Sequence, residues 1–488
     1  AYMGRLHYAF KERYILDVTV RRDGSTRFGP GNRWGTFPAV SGKWILSDEK
    51  WFDSWEWFNT FGIRAGYGKT GRMPDAEYLH YARYNSNYGS GGGNSYIDIS
   101  TLKPASIRLS NLKWETANSV NFGIDANLFN YKINFDFNVF KDKNKDLLFS
   151  NQTIPSSTGF GSISYINGGS MEKSGWEFNF WTQNLLKFND FSFDFNFNLS
   201  NYNSKITYML PEILESYEGQ FVKTPNDSRF VNRVQLGNAY GSIYGLRYKG
   251  VYQYSDYVEG REGTCPFVKN ADGEYIKDSN GNPMPMYYDY GGINYKFRGG
   301  DAIYEDINHD GTIDELDVVY LGNCNPKLYG GFGFTFRWRQ LSVNAFFNFR
   351  TGNKIANYAR MRAENMYTND NQSIATNWRW RKEGDVTDMP RALYQYGYNW
   401  MPSDRFVENG DFLRFKYLTF NYGFTKEVCQ ALRLQQLNLY LTLNNLCTWT
   451  KYTGVDPEIS PNGMTGVVED WSSTPRSQYF TFGLTVGF

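Results

Sequence analysis

The chain has 488 residues, with 51 Lys and Arg against 50 Asp and Glu and a formal net charge of +1. That balance lacks the clustered positive excess that phosphate-backbone binding requires, so nucleic acid is not an expected partner. Aromatic residues reach 18 % (38 Tyr, 38 Phe, 14 Trp) beside 48 Gly, a load that excludes disorder, and no Gly-X-Y period is present to suggest collagen-like order.

With a mean hydropathy of −0.57 and no apolar run near ~18 residues, a transmembrane helix is excluded. A membrane-spanning strand is not, because it needs only ~9–11 residues with every second one apolar. The pattern begins at once, with strands expected over 2–10 and 13–22, joined at Lys11-Glu12, and His7 on the polar face. The stretch 69–116 follows, holding His80 and GSGGGN at 89–94. That glycine run has neither the Lys nor the strand–helix setting of a phosphate loop and reads as a flexible tip.

Strands are next expected over 117–129 and 132–143, turning at Asn130-Tyr131. Val120, Phe122, Ile124, Ala126 and Leu128 oppose Asn121, Gly123, Asp125 and Asn127, and Ile133, Phe135, Phe137 and Val139 oppose Asn134, Asp136 and Asn138. After 144–173 come strands 174–186 and 190–202, turning over Lys187 to Asn189. In the second of these Phe191, Phe193, Phe195, Phe197 and Leu199 share one face, and Ser192, Asp194, Asn196, Asn198 and Ser200 the other. This period of two is a strand with one apolar and one wet face.

The stretch 203–329 carries DINHDGTIDELD at 306–317. Asp306, Asn308, Asp310, Thr312, Asp314 and Asp317 stand at positions 1, 3, 5, 7, 9 and 12 of a Ca²⁺ loop, with Gly311 at the sharp turn. Asp in place of Glu at the last position weakens the bidentate ligand. The competing reading is an Asp/Asn/Gly turn in a long loop; the expectation is a structural Ca²⁺ pinning part of that loop near the barrel mouth.

Strands 330–338 and 341–350 turn at Arg339-Gln340, and 351–411 follows with Trp378, Trp380, Tyr394, Tyr396, Tyr398 and Trp400. Sugar rings present apolar C–H faces, so Trp378, Trp380, Tyr396 and Tyr398 are candidate substrate contacts. Interfacial girdles, loop cores and partner surfaces compete for the same residue type. Leu437, Leu439, Leu441 and Leu443 mark another strand, 447–477 is the last long stretch, and Phe480, Phe482, Leu484, Val486 and Phe488 alternate to the end. That terminal pattern is similar to the assembly signal of outer-membrane barrels.

A soluble sandwich also alternates along its strands, so connection length decides. Tight turns and long stretches alternate, as periplasmic turns and extracellular loops do in outer-membrane barrels. The fold class expected is all-β, a transmembrane antiparallel barrel in the cell outer membrane, with about 13 strands. The first and last strands both run down, while such barrels close on an even number and begin upward. An odd number of strands is therefore expected upstream, making 1–488 the C-terminal portion of a longer protein.

Seven segments resemble the SusC family of TonB-dependent outer-membrane transporters: GRLHYAFKERYILDVTVRRDGSTRFGPGNRWGTFPAVSGKWILSDEKWF, NLKWETANSVNFGIDANLF with KNKDLLF, SMEKSGWEFNF, DINHDGTIDELDVVYLGNCNPKLYGGF, RFVENGDFLRFKYLTFNYGF and LNLYLTLNNLCTWTKYTGVDPE. The resemblance spans essentially the whole chain in order. It implies a 22-stranded barrel, so nine further strands, and a plug and TonB-contact segment that these residues do not include. It further implies pairing with a SusD-like surface lipoprotein and import of oligosaccharides or, in some members, peptides. A non-transporting scaffold or adhesin barrel is the alternative from another class.

No enzyme is expected: His7, His80 and His309 form neither a metal nor a triad arrangement, and no carboxylate pair is singled out for acid–base work. Cys265, Cys324, Cys429 and Cys447 have no metal-type spacing, and pairing of Cys265 with Cys324 is left open by the sequence.

Overall fold

The computed structural model describes residues 1–87, 101–218, 229–231, 233–256, 266–270, 272–290, 293–462 and 465–488. The glycine run at 89–94 and Cys265 lie outside the described residues.

One antiparallel sheet follows the chain without a crossover. Its path runs β1 (Tyr2–Phe10), β2 (Tyr14–Gly24), β3 (Trp34–Ile45), β4 (Phe58–Arg72), β5 (Glu115–Leu128), β6 (Ile133–Lys145), β7 (Gly169–Thr182), β8 (Phe191–Met209), β9 (Leu328–Trp338), β10 (Leu341–Thr351), β11 (Phe412–Gly423), β12 (Gln436–Thr450) and β13 (Tyr479–Gly487). A short strand, Leu186–Phe188, pairs with β8 beside this path. The sheet is an open wall whose edges are β1 and β13. Thirteen wall strands among the described residues match the expected number.

Register puts the apolar positions of neighbouring strands side by side. Phe178 pairs with Phe137 and with Leu199, Phe195 with Phe334, Phe332 with Phe347, and Leu418 with Leu443. Rings on this face touch across strands, as in Phe193–Phe336 at 5.0 Å and Phe347–Phe415 at 4.3 Å. No second sheet covers the face among the described residues: Leu6, Val20, Phe122, Val139, Phe336, Phe420 and Phe482 are all exposed. A soluble domain would bury such a band, whereas lipid tails solvate it. On β8 the band runs from Phe191 to Leu199. At about 3.4 Å per residue that is about 27 Å along the strand, or about 20 Å of depth at the usual tilt.

The lower connections are mostly tight. Lys11 and Glu12 return the chain with φ of +54° and +58°, and Phe129, Asn130 and Tyr131 do so at +52°, +56° and +61°. Left-handed residues match the twist of a hairpin. The alternation of short and long connections is less strict than read from sequence. The lower connection 46–57 is longer than the upper one 25–33, because it folds back on the wall. Phe52, buried, stacks on Phe61 at 5.7 Å, and Trp51, Trp55 and Trp57 gather around it with Trp44 as an aromatic girdle at the lower rim.

The packed core of the molecule lies in the upper loops. One cluster joins Leu246, Tyr288, Phe297, Ile313 and Met401, and a second joins Ile243, Ile355, Trp400, Phe406 and Val468. These residues come from 203–329, 351–411 and 447–477, so the three long stretches form one cap. Backbone bonds tie them together, with Leu246 N–H donating to the Pro402 carbonyl and Ala356 N–H to that of Val468.

Candidate functional site

The polar parity of every wall strand faces the side opposite the apolar band, which becomes the lumen of a closed barrel. Asp125, on β5, takes the Arg64 guanidinium of β4 and the Lys43 amine of β3, the latter at 3.0 Å. Asp136 accepts from Asn138 and Asn179, each at 3.2 Å. Asp194 accepts from Thr182 and pairs with Arg337 at 2.5 Å. Near the lower end these last groups, with Trp181, Asn196 and Thr335, line an open hollow of ≈ 380 Å³. His7 meets Asp17 on the same face at 2.9 Å, with Arg5 on the same carboxylate.

Higher on this face are aromatic rings that alternation alone assigned no role. The Lys173 amine sits 4.2 Å from the Tyr202 ring centre and 5.7 Å from that of Phe140, and Tyr202 meets Tyr329 edge-on at 6.0 Å. Phe346 stacks on Tyr417 at 5.5 Å and lies over Gly331 and Gly333, where a Cβ would come within 2.5 Å and 3.0 Å of its ring. The available signal was an aromatic residue at a polar-parity position: Phe140 after Asn138, Tyr202 after Ser200, Phe346 between Asn344 and Asn348.

Where the wall meets the cap, Arg414 of β11 is buried and reaches Asp456 at 2.5 Å and Glu458 at 3.4 Å. Burial works to raise the Asp456 carboxyl, but N–H groups of Arg476 and Glu458 together with Arg414 outweigh it and hold it below the ordinary Asp value. Inside the cap Arg405 and Glu364 form a buried pair at 2.8 Å, with the guanidinium against the Tyr248, Trp400 and Phe406 rings. Asp301, fully buried, is held by Arg391, Tyr295 and Asn399.

The aromatic candidates divide. Trp378 is 66 % exposed and Tyr396 55 %, so both can meet a ligand. Trp380, 3 % exposed, donates its indole N–H to Gln253 and packs against Tyr254, and Tyr398 stacks on Tyr288 at 4.0 Å inside the cap. Those two are corrected to loop core: a ring that is already packed has no face left for a sugar. Trp400 is likewise buried, while Tyr394 is exposed.

The 306–317 loop docks through Thr312–Ile313, which pairs in parallel with Tyr287–Tyr290. Its oxygens turn largely to the backbone. Asp306 accepts from Gly311 N–H at 2.8 Å, Asp310 from Thr312 at 2.8 Å, and Asp314 from Leu316 at 2.7 Å. Asp317 accepts from Ile307 at 2.7 Å and Asp314 at 2.9 Å, forming a capping box, and Asn308 bonds Asp310. Among the described residues no three His, Cys, Asp or Glu side chains come together as a metal site. One feature fits a hard cation: Asp306 Oδ1 is buried without a hydrogen bond. Burial, with Asp306 and Asp314 nearby, pushes Asp317 up to about 7, and burial also raises Asp306. His309 is exposed at φ +59°, while His80 is buried against Tyr81.

Phe480, Phe482, Leu484 and Val486 lie on the outer face of edge strand β13 and Phe488 follows it, all of them outside the core. Cys324 is a free, buried thiol that accepts the Val468 N–H, and Cys429 and Cys447 are free as well.

Known proteins share this architecture. Residues 1–283 match the family described as TonB dependent receptor-like, beta-barrel. TonB-dependent receptor P3 of Formosa agariphila is 28 % identical over 99 % of the chain and 45 % of its own length. TonB-dependent receptor SusC of Bacteroides thetaiotaomicron is 27 % identical over 100 % of the chain and 43 % of its own length. The RagAB peptide transporter superposes with a TM-score of 0.75 at 23 % identity, covering 100 % of this chain and 47 % of that one. The chain therefore spans about half the length of the relatives it matches. It belongs to the TonB-dependent receptor β-barrel family, on the SusC-like side that its motifs indicated, and is an outer-membrane protein.

Proposed function

We propose that this chain forms the C-terminal wall and loop cap of a SusC-like importer, which moves an oligosaccharide captured with a SusD-like lipoprotein and draws energy through TonB. The observation that carries the reading is the lumen face itself. Half-exposed rings of Phe140, Tyr202, Tyr329, Phe346 and Tyr417 lie among ion pairs beneath the cap. Apolar ring faces bounded by hydrogen-bonding groups suit a polyhydroxylated ligand, because each sugar has both kinds of surface. Trp378 and Tyr396 offer two further faces on the cap.

Closure would come from nine more strands, and the plug and TonB segment would lie in the remaining part of the receptor. Phe480, Phe482, Leu484, Val486 and Phe488 would serve as the outer-membrane assembly signal. A Ca²⁺ held from Asp306, with Asn308 and Asp310 beside it, would stiffen the 306–317 loop and relieve the crowding of Asp306 and Asp317.

Peptide import is the second reading, favoured by the likeness to the RagAB peptide transporter. A non-transporting scaffold barrel is the third. Mass spectrometry of ligand co-purified with the detergent-solubilised receptor decides among them. Bound oligosaccharide, lost when Tyr202→Ala and Phe346→Ala are introduced together, is the expected result. Bound peptide would replace the substrate assignment, and no ligand with no uptake in energised cells would favour the scaffold.

A further inference from the structure

The outer face of β6 changes character along its length. Ile133, Phe135, Phe137 and Val139 are followed on the same face by Lys141, Lys143 and Lys145, all three exposed. Its neighbours change within one residue pair of the same register line. Trp176 gives way to Ser174 on β7 opposite Val139 and Lys141, Val120 to Asn118 on β5 opposite Lys141 and Lys143, and Leu199 to Asn201 on β8 opposite Phe178 and Trp176 of β7. This line marks the upper edge of the hydrocarbon, since an apolar side chain gains nothing above it and a charged one is costly below it.

The lysines stand just above that edge. Lys69 of β4 pairs in register with Asn118, which pairs with Lys143, and Lys205 of β8 pairs with Glu172 of β7. On the outer face of these strand ends the described residues include one carboxylate, Glu172, shared by Lys141 at 3.3 Å and Lys143 at 3.1 Å. Asp142 points the other way, to Ser119 on the lumen face. Five ammonium groups against one carboxylate leave a positive stripe. The three on β6 span about 14 Å, at about 3.4 Å per residue.

We propose that Lys141, Lys143 and Lys145, extended by Lys69 and Lys205, dock the phosphate groups of a lipid headgroup in the outer leaflet. Continuity with the apolar band names the source. A lipid whose chains lie along Phe135, Phe137 and Val139 brings its headgroup to the height of the lysines, whereas a soluble anion has no such register. Basic residues beside a bilayer attract anionic headgroups within a Debye length, and a row longer than one phosphate suits a headgroup that bears more than one. The site is independent of the import reading, because it faces away from the lumen.

The test uses the purified receptor in phosphatidylcholine nanodiscs doped with diphosphorylated lipid A or with its dephosphorylated counterpart, and native mass spectrometry counts retained lipid. The wild-type receptor enriches the phosphorylated form alone. Lys141→Gln, Lys143→Gln and Lys145→Gln together lower that enrichment at least about fivefold, whereas Lys11→Gln, Lys132→Gln and Lys187→Gln at the lower rim leave it unchanged. Equal retention of the two lipids by the unmodified receptor overturns the proposal, as does full retention by the upper variant. Displacement of the lipid by an equal concentration of inorganic phosphate overturns the lipid assignment. The comparison of the two lipids needs no variant and stands even if the triple substitution impairs assembly.

Discussion

Arg405 and Glu364 show how single side chains hold the cap together. Both are buried, they meet at 2.8 Å, and the guanidinium also faces three rings. Removing one partner leaves the other charged and dry, which costs about 3–5 kcal/mol. Glu364→Ala is therefore expected to open the cap to protease while the heat-resistant migration of the barrel on gels persists; an unchanged digestion pattern would contradict this. Arg414 and Asp456 tie cap to wall in the same way. The Asp456 carboxyl is held below its ordinary value, so the folded state binds that proton less readily than the unfolded one. Its contribution is complete above the ordinary Asp value of about 3.9. It is lost as pH falls through the lower folded value. Release of the 451–478 segment, followed by hydrogen exchange, is expected only below about pH 4; release at pH 6 would refute the assignment. Neither arginine pair was legible in the sequence, because partners 42 and 41 residues apart leave no local period.

At the scale of strands and loops, the wall was legible and the cap was not. β1 and β10 fall within a residue of their expected bounds, because lipid on one side and water on the other impose strict alternation. β8 extends past the expected 202 to Met209, for a reason the same physics supplies. Above the hydrocarbon the outside is aqueous and the inside is the cap, so polarity inverts: Lys205 is exposed while Ile206 and Met209 are buried. An inverted pattern reads as the end of a strand, although the ladder continues. Trp380 and Tyr398 were misjudged because loop cores are built from scattered residues that look like exposed ones in sequence. Two element-scale outcomes follow. Phe334→Arg, on the lipid face of β9, is expected to cost about 2–4 kcal/mol near the bilayer midplane and to lower the unfolding temperature; Thr335→Arg, on the lumen face, is expected to leave assembly intact. If the two behave alike, the facing of β9 is misassigned. Ca²⁺ is expected to raise the melting temperature of the cap at pH 8, where Asp306 and Asp317 must share a buried site while charged. Asp306→Asn should abolish that gain, and a melting curve indifferent to chelator and cation alike would remove the metal.

For the whole molecule, the thirteen-strand path among the described residues is an open wall whose edges are β1 and β13. An open sheet with free edges is not tolerated in hydrocarbon, where backbone groups find no water. Lipid anchorage, lumen chemistry and the docking of the cap all rest on which face of this wall meets the bilayer. The direct measurement places single spin labels at Phe197, Phe334 and Leu441, and at Asn196, Thr335 and Thr442, in a background without the native cysteines. Collision rates are then read in liposomes with oxygen and with a water-soluble nickel complex. The first three positions are expected to respond to oxygen and the second three to nickel. Shielding of the first three from both reagents would put the aromatic band inside a protein core and contradict the account.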